Sequence, residues 1–434
     1  MSPKSLIAML LLTVPVPGNI RLGDPLFRAD AEVDYLIVAP DEPAFLTEWR
    51  RLERHKSEKG LKTRIVTVDS IARTFEGSDL PHKIRAFLQY AYTEWQVTWV
   101  LLAGDLEQIP ARRVSTGTHG SVAEPHAFFS DIYYSCLDGE WDTDGDGVFG
   151  NEESETVFRL ECRYDEGGDY VCDRVRPEIY GVDLWSDVYL GRLPASTPRE
   201  ARIMVNKTLH YLSAPRVEDK SDDIFLFGPQ IHYRLSADTI SRNLITDAAQ
   251  FWHYELMPIL REDESPFRQA RIDELYEDRV TEEGFVIGDS LEITAQALSR
   301  HLSEGYNLVF FAAHGAPYEI MIRSEPLKIF GFPEIEKLRS NNCSNVISIS
   351  CDVMKWIPDS NTCFAKSLLT NPAGGAVTYS GSSGPDYFVF KRRHYVRAAH
   401  LMCGSGVRRI SKAFQIANLR RDRYNRLVHQ YWGD

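Results

Sequence analysis

The chain has 434 residues, of which 43% are hydrophobic, which is enough apolar material for a large buried core. Acidic residues outnumber basic ones by 62 to 49, giving a formal net charge of −13, and this argues against a nucleic-acid-binding surface, which needs a basic footprint. At roughly 150 residues per domain, the length predicts two or three domains.

The first 32 residues are predicted to be a leader. Leu6–Val14 follows Lys4 and resembles a short signal-peptide core, too short to cross a bilayer as a helix. Pro15 and Pro17 come next without a clear cleavage site, so an apolar strand or the remnant of a pro-segment is the alternative. We expect a secreted or cell-surface protein with no membrane span.

Residues 33–220 predict a first lobe in which apolar strands alternate with helices. The pattern strand–helix–strand–helix–strand is typical of a parallel sheet with covered faces. The predicted strands are Tyr35–Val38, Arg64–Val68, Val97–Leu102 and Asp187–Pro194, and Pro198–Leu212 is the helix that ends the lobe. Arg192 is expected to form a buried ion pair.

A long acidic insertion, residues 111–186, interrupts this alternation and contains a calcium-loop pattern, Asp142–Glu153. The sequence matches a twelve-residue calcium loop at six positions. Five of these are the ligand positions, and the sixth is position 6, where a glycine allows the turn. The predicted ligands are Asp142, Asp144, Asp146, the carbonyl of Val148 and the carboxylate of Glu153. A solvated acidic turn is the alternative. No helix pair flanks the loop, so we expect a structural calcium ion.

The seven cysteines are an odd number. Cys162 and Cys172 lie in the same insertion and form either a small disulfide or two free thiols, because sequence does not fix pairing.

Residues 221–434 predict a second lobe, joined to the first by the polar segment Ser213–Asp222. Its first part predicts a strand at Asp223–Phe227, a helix at Ala237–Trp252, a strand around Tyr254–Leu260, a loop over 261–288 and a helix at Ser290–Glu304. Its last part predicts a helix at Thr362–Leu369 and a strand at Gly374–Ser380.

Two apolar runs in this lobe each end in a reactive side chain. Leu308–Phe311 leads to His314, and Val346–Ile349 leads to Cys351, with a predicted crossover helix at Phe332–Arg339 between them. Neighbouring parallel strands would bring both side chains to one edge of the sheet, where a thiol and an imidazole make a nucleophile and its base. Taken singly, each residue is more typical of a structural role.

These residues and their surroundings resemble the gingipain family of cysteine peptidases over residues 33–434. In that family one apolar strand ends in His-Gly and a second ends in Cys, as here. Further matching segments are DYLIVAP from Asp34, KGLKTRIVTV from Lys59, WVLLAGDLEQIP from Trp99, DVYLGRLP from Asp187 and CFAKSLLTNPAGGA from Cys363. The resemblance implies an α/β, caspase-like fold with two lobes, each a mostly parallel sheet flanked by helices.

The resemblance also implies a cysteine endopeptidase that acts on protein or peptide substrates and is stabilised by calcium. The backbone N–H groups of Gly315 and Cys351 would stabilise the oxyanion. By alignment with arginine-specific members, Asp238 would pair with a basic substrate side chain and Tyr387 would form an aromatic pocket wall. A helix N-cap is the alternative role for Asp238.

One departure from the family pattern affects the histidine. Those members orient it with a Glu near the end of the preceding strand, but Phe225–Gln230 contains no acid. Either another residue orients His314 or the peptidase machinery is incomplete. Two further readings therefore stay open: a transpeptidase of the same family, and a non-catalytic calcium-stabilised binding protein. The chain stops at a Gly-Asp where relatives continue into a last strand.

Overall fold

A computed structural model describes residues 27, 32–115, 127–150, 159–164, 170–175, 182, 184–213, 223–231, 248–277, 279–281, 284–286, 293–323, 326–357, 360–386, 388–403, 413 and 429–433. The predictions for Leu6–Val14, Glu153, Asp238, Tyr387 and the segment 214–222 lie outside these residues.

A ten-stranded sheet runs through the described part of the chain. Its strands are β1 Tyr35–Ala39, β2 Thr63–Thr67, β3 Trp99–Leu102, β8 Tyr189–Arg192, β9 Ile224–Gly228, β10 Ile272–Tyr276, β13 Leu308–Ala312, β17 Ser344–Ile349, β18 Ala376–Ser382 and β19 His429–Trp432. They lie side by side in the order β10-β9-β13-β17-β18-β19-β8-β3-β1-β2. Adjacent strands are parallel except for the antiparallel pair β18–β19.

The remaining strands form four small antiparallel sheets. These pair β4 Arg112–Ser115 with β5 Ala127–Ser130, β6 Arg159–Tyr164 with β7 Tyr170–Val175, β11 Arg279–Thr281 with β12 Gly284–Val286, and β14 Gly315–Ala316 with β15 Glu319–Arg323 and β16 Lys328–Gly331.

Helices flank the large sheet, as predicted for an α/β fold. They span Pro43–Glu58, Val68–Thr74, Leu80–Glu94, Ile132–Ser135, Pro198–Ser213, Ala248–Phe251, Trp252–Leu256 (a π-helical turn), Met257–Leu260, Ala295–Glu304, Phe332–Ile335, Phe364–Thr370 and Phe388–Cys403. Among the described residues, none of the helices combines the length and the apolar character that crossing a membrane requires.

Both faces of the sheet are covered, and strand β13 shows this directly. Its five residues are all buried, but they alternate between two hydrophobic cores. Val309 and Phe311 enter one core, whereas Leu308, Phe310 and Ala312 enter the other. A continuous apolar run is typical of such a central parallel strand.

The β13 strand is placed by the helix Ala295–Glu304 before it. The side chain of Thr294 caps this helix by accepting from the N–H of Ala297 at 3.0 Å. Gly305, at φ +76°, ends the helix in the left-handed conformation that favours glycine. The chain then enters the sheet three residues later.

Strand β19 joins the two halves of the sheet. The first half contains β8, β3, β1 and β2, and the second half contains β10, β9, β13, β17 and β18. It pairs antiparallel with β18 and parallel with β8, and the N–H of Gly433 donates to the carbonyl of Arg192 at 2.8 Å. The approach is close at Gly191, where an added Cβ would lie 2.5 Å from the Gly433 oxygen.

Three predictions of local structure were wrong. Tyr254–Leu260 is helical, because Trp252, Leu256 and Leu260 are buried at intervals of four while Tyr254 is 55% exposed. The predicted loop 261–288 contains strand β10 at the sheet edge. The crossover helix is a single turn, Phe332–Ile335, since most of the connection from β13 to β17 is the β14–β15–β16 sheet.

Candidate active site

His314 and Cys351 lie at the same edge of the sheet. Strand β13 pairs in parallel with β17 so that Ala312 is opposite Ile349, and the N–H of Ala313 donates to the Ile349 carbonyl at 3.0 Å. Each reactive residue is therefore two positions beyond the same pair, at the carboxyl ends where α/β sheets bind ligands.

Gly315 packs directly against the residue that carries the thiol. A Cβ added at Gly315 would lie 2.5 Å from the Cys351 carbonyl oxygen and 2.9 Å from a methyl of Val353. Real Cβ atoms do not approach so closely. The close contact of the two backbones therefore requires glycine at this position.

The Cys351 thiol is partly buried and contacts the backbone of Asp386. The N–H of Asp386 donates to the sulfur at 3.1 Å. The next residue, Asp352, has φ +56°, and its N–H donates to the carbonyl of Gly384 at 3.0 Å. This left-handed turn, which Asp tolerates better than most residues, ends the strand sharply and leaves the thiol at its tip.

The exposed imidazole of His314 is oriented by the main chain. Its Nε2 lies 2.8 Å from the carbonyl oxygen of Ile231. Because a carbonyl oxygen can only accept, Nε2 carries the proton and Nδ1 is left as the basic nitrogen. A backbone carbonyl is thus one partner of this imidazole, next to the segment Phe225–Gln230 that contains no acid.

Glu277 supports this arrangement and was missed by the sequence analysis. Its side chain, 2% exposed, accepts from the N–H of Gln230 at 2.9 Å, and its own N–H donates to the Gly228 carbonyl. It therefore fixes the segment that presents the Ile231 carbonyl to His314. The sequence feature that could have indicated its position is Ile272–Tyr276. This short run begins and ends with apolar residues and directly precedes Glu277, inside a segment predicted to be a loop.

The loop that follows Cys351 is anchored to the first half of the sheet. Trp356 donates its indole N–H to Asp105 at 2.7 Å, and Lys366 donates to the same carboxylate at 2.5 Å.

The Arg192 guanidinium lies 5.4 Å from the Trp356 ring and makes two hydrogen bonds to Asp131, at 2.7 and 2.6 Å. The predicted buried ion pair of Arg192 is thus confirmed.

Two of the cysteines whose side chains are described, Cys351 and Cys343, are partly exposed. Cys136, Cys363 and Cys403 are buried, and burial raises the pKa of Cys363 to about 12. Cys343 is partly exposed, and burial raises its pKa too. Cys162 and Cys172 are opposite each other in the register of the β6–β7 hairpin, and both predicted alternatives, a disulfide and two free thiols, stay open.

The three aspartates of the predicted calcium loop come together. Asp142, Asp144 and Asp146 each offer a carboxylate oxygen, and these oxygens lie within 4.8 Å of one another. Gly147, at φ +78°, turns its N–H toward the Asp142 carboxylate at 3.2 Å. Val148 follows with its side chain 39% exposed. This arrangement fits a cation with oxygen ligands.

The loop is attached firmly to the first half of the molecule. The N–H of Gly150 donates to the carbonyl of Trp141 at 2.8 Å and closes the loop at its base. Trp141 is buried, and Phe149 packs under the Arg112 guanidinium at 3.9 Å. A cation bound in this loop would therefore also stabilise the hydrophobic core of the first half, in which Trp141 is buried.

Comparison with known proteins places nearly the whole chain in one family. The family described as peptidase family C25 matches residues 28–432. Among solved structures, the Arg-specific cysteine proteinase gingipain R is similar with a TM-score of 0.60 and 16% identity, covering 94% of this chain and 78% of that one. A complex of the pro- and mature domains of RgpB from Porphyromonas gingivalis is similar with a TM-score of 0.58 and 16% identity, covering 92% and 78%. Comparison with curated protein sequences gave no match. The chain belongs to peptidase family C25, the gingipain family, and is a cysteine-type peptidase with a caspase-like fold that acts on protein substrates.

Proposed function

We propose that the chain is an endopeptidase in which Cys351 is the nucleophile and His314 is the acid–base residue. The observation that supports this most directly is their common position, two residues past the paired ends of β13 and β17. The contact of Gly315 with the Cys351 backbone adds to it.

In the proposed reaction, Nδ1 of His314 takes the thiol proton and the Cys351 sulfur attacks the peptide carbonyl carbon. The resulting oxyanion accepts hydrogen bonds from the backbone N–H groups of Gly315 and Cys351. The imidazolium then gives its proton to the leaving amine as the C–N bond breaks, and water hydrolyses the thioester with His314 as the base. The hydrogen bond from Nε2 to Ile231 holds the ring in the required tautomer.

We further propose cleavage after Arg or Lys. Support comes from the family resemblance, under which Asp238 would pair with a basic side chain and Tyr387 would form a pocket wall. The net charge of −13 favours the approach of basic substrates.

Active-site labelling tests this function. An acyloxymethyl ketone that carries Arg or Lys is expected to label the parent protein and the Cys343→Ala control, which removes another partly exposed thiol. Labelling should be lost in Cys351→Ala and in His314→Ala. A parent protein that stays unlabelled with calcium present and after limited proteolysis would contradict the proposal. Product analysis with an added amine separates hydrolysis from transpeptidation.

The chain is also proposed to bind a structural calcium ion through Asp142, Asp144, Asp146, the Val148 carbonyl and Glu153. The ion would neutralise the converging carboxylates and hold the loop on the first-half core. Weak, structural calcium loops suit the high calcium concentrations outside cells, so this site supports a secreted or cell-surface location.

A further inference from the structure

The small sheet that follows His314 places an apolar row beside the imidazole. Strand β14 pairs antiparallel with β15, with Gly315 opposite Ile320, and the N–H of Met321 donates to the His314 carbonyl at 2.8 Å. One step further along this register, His314 stands opposite Met321. Across the next strand, Met321 is opposite Ile329.

Directly opposite residues in an antiparallel sheet carry their side chains on the same face, about 4.5–5.5 Å apart at Cβ. The row therefore runs from the imidazole through the Met321 thioether to the Ile329 side chain. Its outer end is open, since Ile329 is 46% exposed. The alternate residues Ile320 and Phe330 point the other way and are buried in the core.

The chemistry of the site indicates what would cover this row. His314 protonates the leaving amine, so the first residue after the scissile bond must begin beside the imidazole. The polypeptide on the leaving-group side therefore starts at the end of the row, and an apolar side chain there would gain by covering Met321 and Ile329.

We propose that Met321 and Ile329 form a subsite for an apolar side chain on the leaving-group side of the scissile bond. This assignment rests on the proposed function, because it uses the role of His314. It makes the substrate class more specific: polypeptides in which an apolar residue closely follows the cleaved bond.

Binding to an inactive protein tests the subsite without requiring turnover. Two fluorescent peptides with the same sequence before the scissile bond, ending in Arg, carry either Leu or its isostere Asn at the two positions after it. On Cys351→Ala, the Leu peptide is expected to bind about tenfold more tightly, as an apolar subsite predicts. Adding Met321→Ser and Ile329→Ser should reduce the ratio to about twofold or less.

Leu212→Ser on the same background is the matched control. Leu212 is 41% exposed, and its neighbour Tyr211 donates to the Asn307 side chain, which precedes β13 at the edge opposite to His314. The control should keep the preference for Leu. Equal or unmeasurable binding of the two peptides would overturn the assignment. So would a ratio of the Leu and Asn peptide affinities that stays unchanged in the Met321/Ile329 variant. Sedimentation that shows the exposed row to be a dimer interface would overturn it as well. Failure of the parent to cleave either peptide would count against the proposed function alone.

Discussion

The orientation of the His314 imidazole depends on Glu277 through the main-chain segment that contains Gln230 and Ile231. Glu277 holds the Gln230 N–H, and the next residue, Ile231, presents its carbonyl to Nε2. A main-chain carbonyl stays in place only if the segment that carries it is itself held in place. The carboxylate of Glu277 thus acts on the imidazole through two hydrogen bonds and one peptide unit.

Replacing Glu277 with Ala is expected to lower kcat by about 10- to 100-fold, because small misplacements of a catalytic group have effects of that size. Glu277→Gln should retain most of the activity, since the amide oxygen can still accept from Gln230. Steady-state kinetics on an Arg-coumarin substrate, with melting curves for both variants, would check this. If Gln fails as badly as Ala at equal stability, the hydrogen bond is not the reason for the loss.

At the scale of elements, the helix Phe364–Thr370 is tied to the first half by a buried ion pair. Burial alone raises the pKa of Asp105, but the Lys366 ammonium and the hydrogen bonds from Lys366 and Ser196 outweigh it, and the pKa ends below its usual value. The stabilisation is therefore present above the unfolded-state pKa of about 3.9 and is lost as the pH falls through the lower folded-state value.

Lys366→Met should reduce the free energy of unfolding at pH 7 by about 3–5 kcal/mol, because it leaves a buried carboxylate without its partner. The surface pair Arg268–Asp263 is the control, and Arg268→Met should cost less than about 1 kcal/mol. Urea titrations from pH 7 to pH 3 measure both variants. A cost for Lys366→Met that stays the same down to pH 3 would refute the assigned role of Asp105.

The acidic loop provides a second test at this scale. Calcium should raise the melting temperature of the parent protein, because an ion that binds only the folded state stabilises it. Asp144→Asn should remove most of this rise, whereas Asp41→Asn, at another exposed acid of the first half, should keep it. Calorimetry with calcium and with a chelator decides the matter, and an equal rise in both variants would argue against the loop as the site.

At the scale of the whole molecule, strand β19 couples two half-sheets. Gly191→Val would insert a side chain where the Gly433 oxygen lies and is expected to push β19 away from β8. Unfolding should then split into two steps when followed by near-ultraviolet circular dichroism and by thiol reactivity. Leu190→Val on the same strand should lower stability and keep one step. A single step in both variants would show that β19 does not couple the halves.

Much of this architecture can be predicted from the sequence, because parallel strands buried on both faces are continuous apolar runs. The common position of His314 and Cys351 follows from their equal distance from the ends of two apolar runs once those runs pair as neighbouring strands, and the convergence of Asp142, Asp144 and Asp146 depends on local spacing alone. The carbonyl of Ile231 could not be predicted, since every residue has one and only the fold selects which is used. Strand β10 was missed because its five residues, IDELY, are only partly apolar.

The position of β19 also orders events while the protein is being made. Every other strand of the large sheet precedes residues 429–432 in the chain. Until the ribosome has passed them, β8 and β18 are open sheet edges, which are prone to pair with other chains. A growing chain therefore holds two incomplete sheets, and β19 can close their open edges only after every other strand of the large sheet has been made.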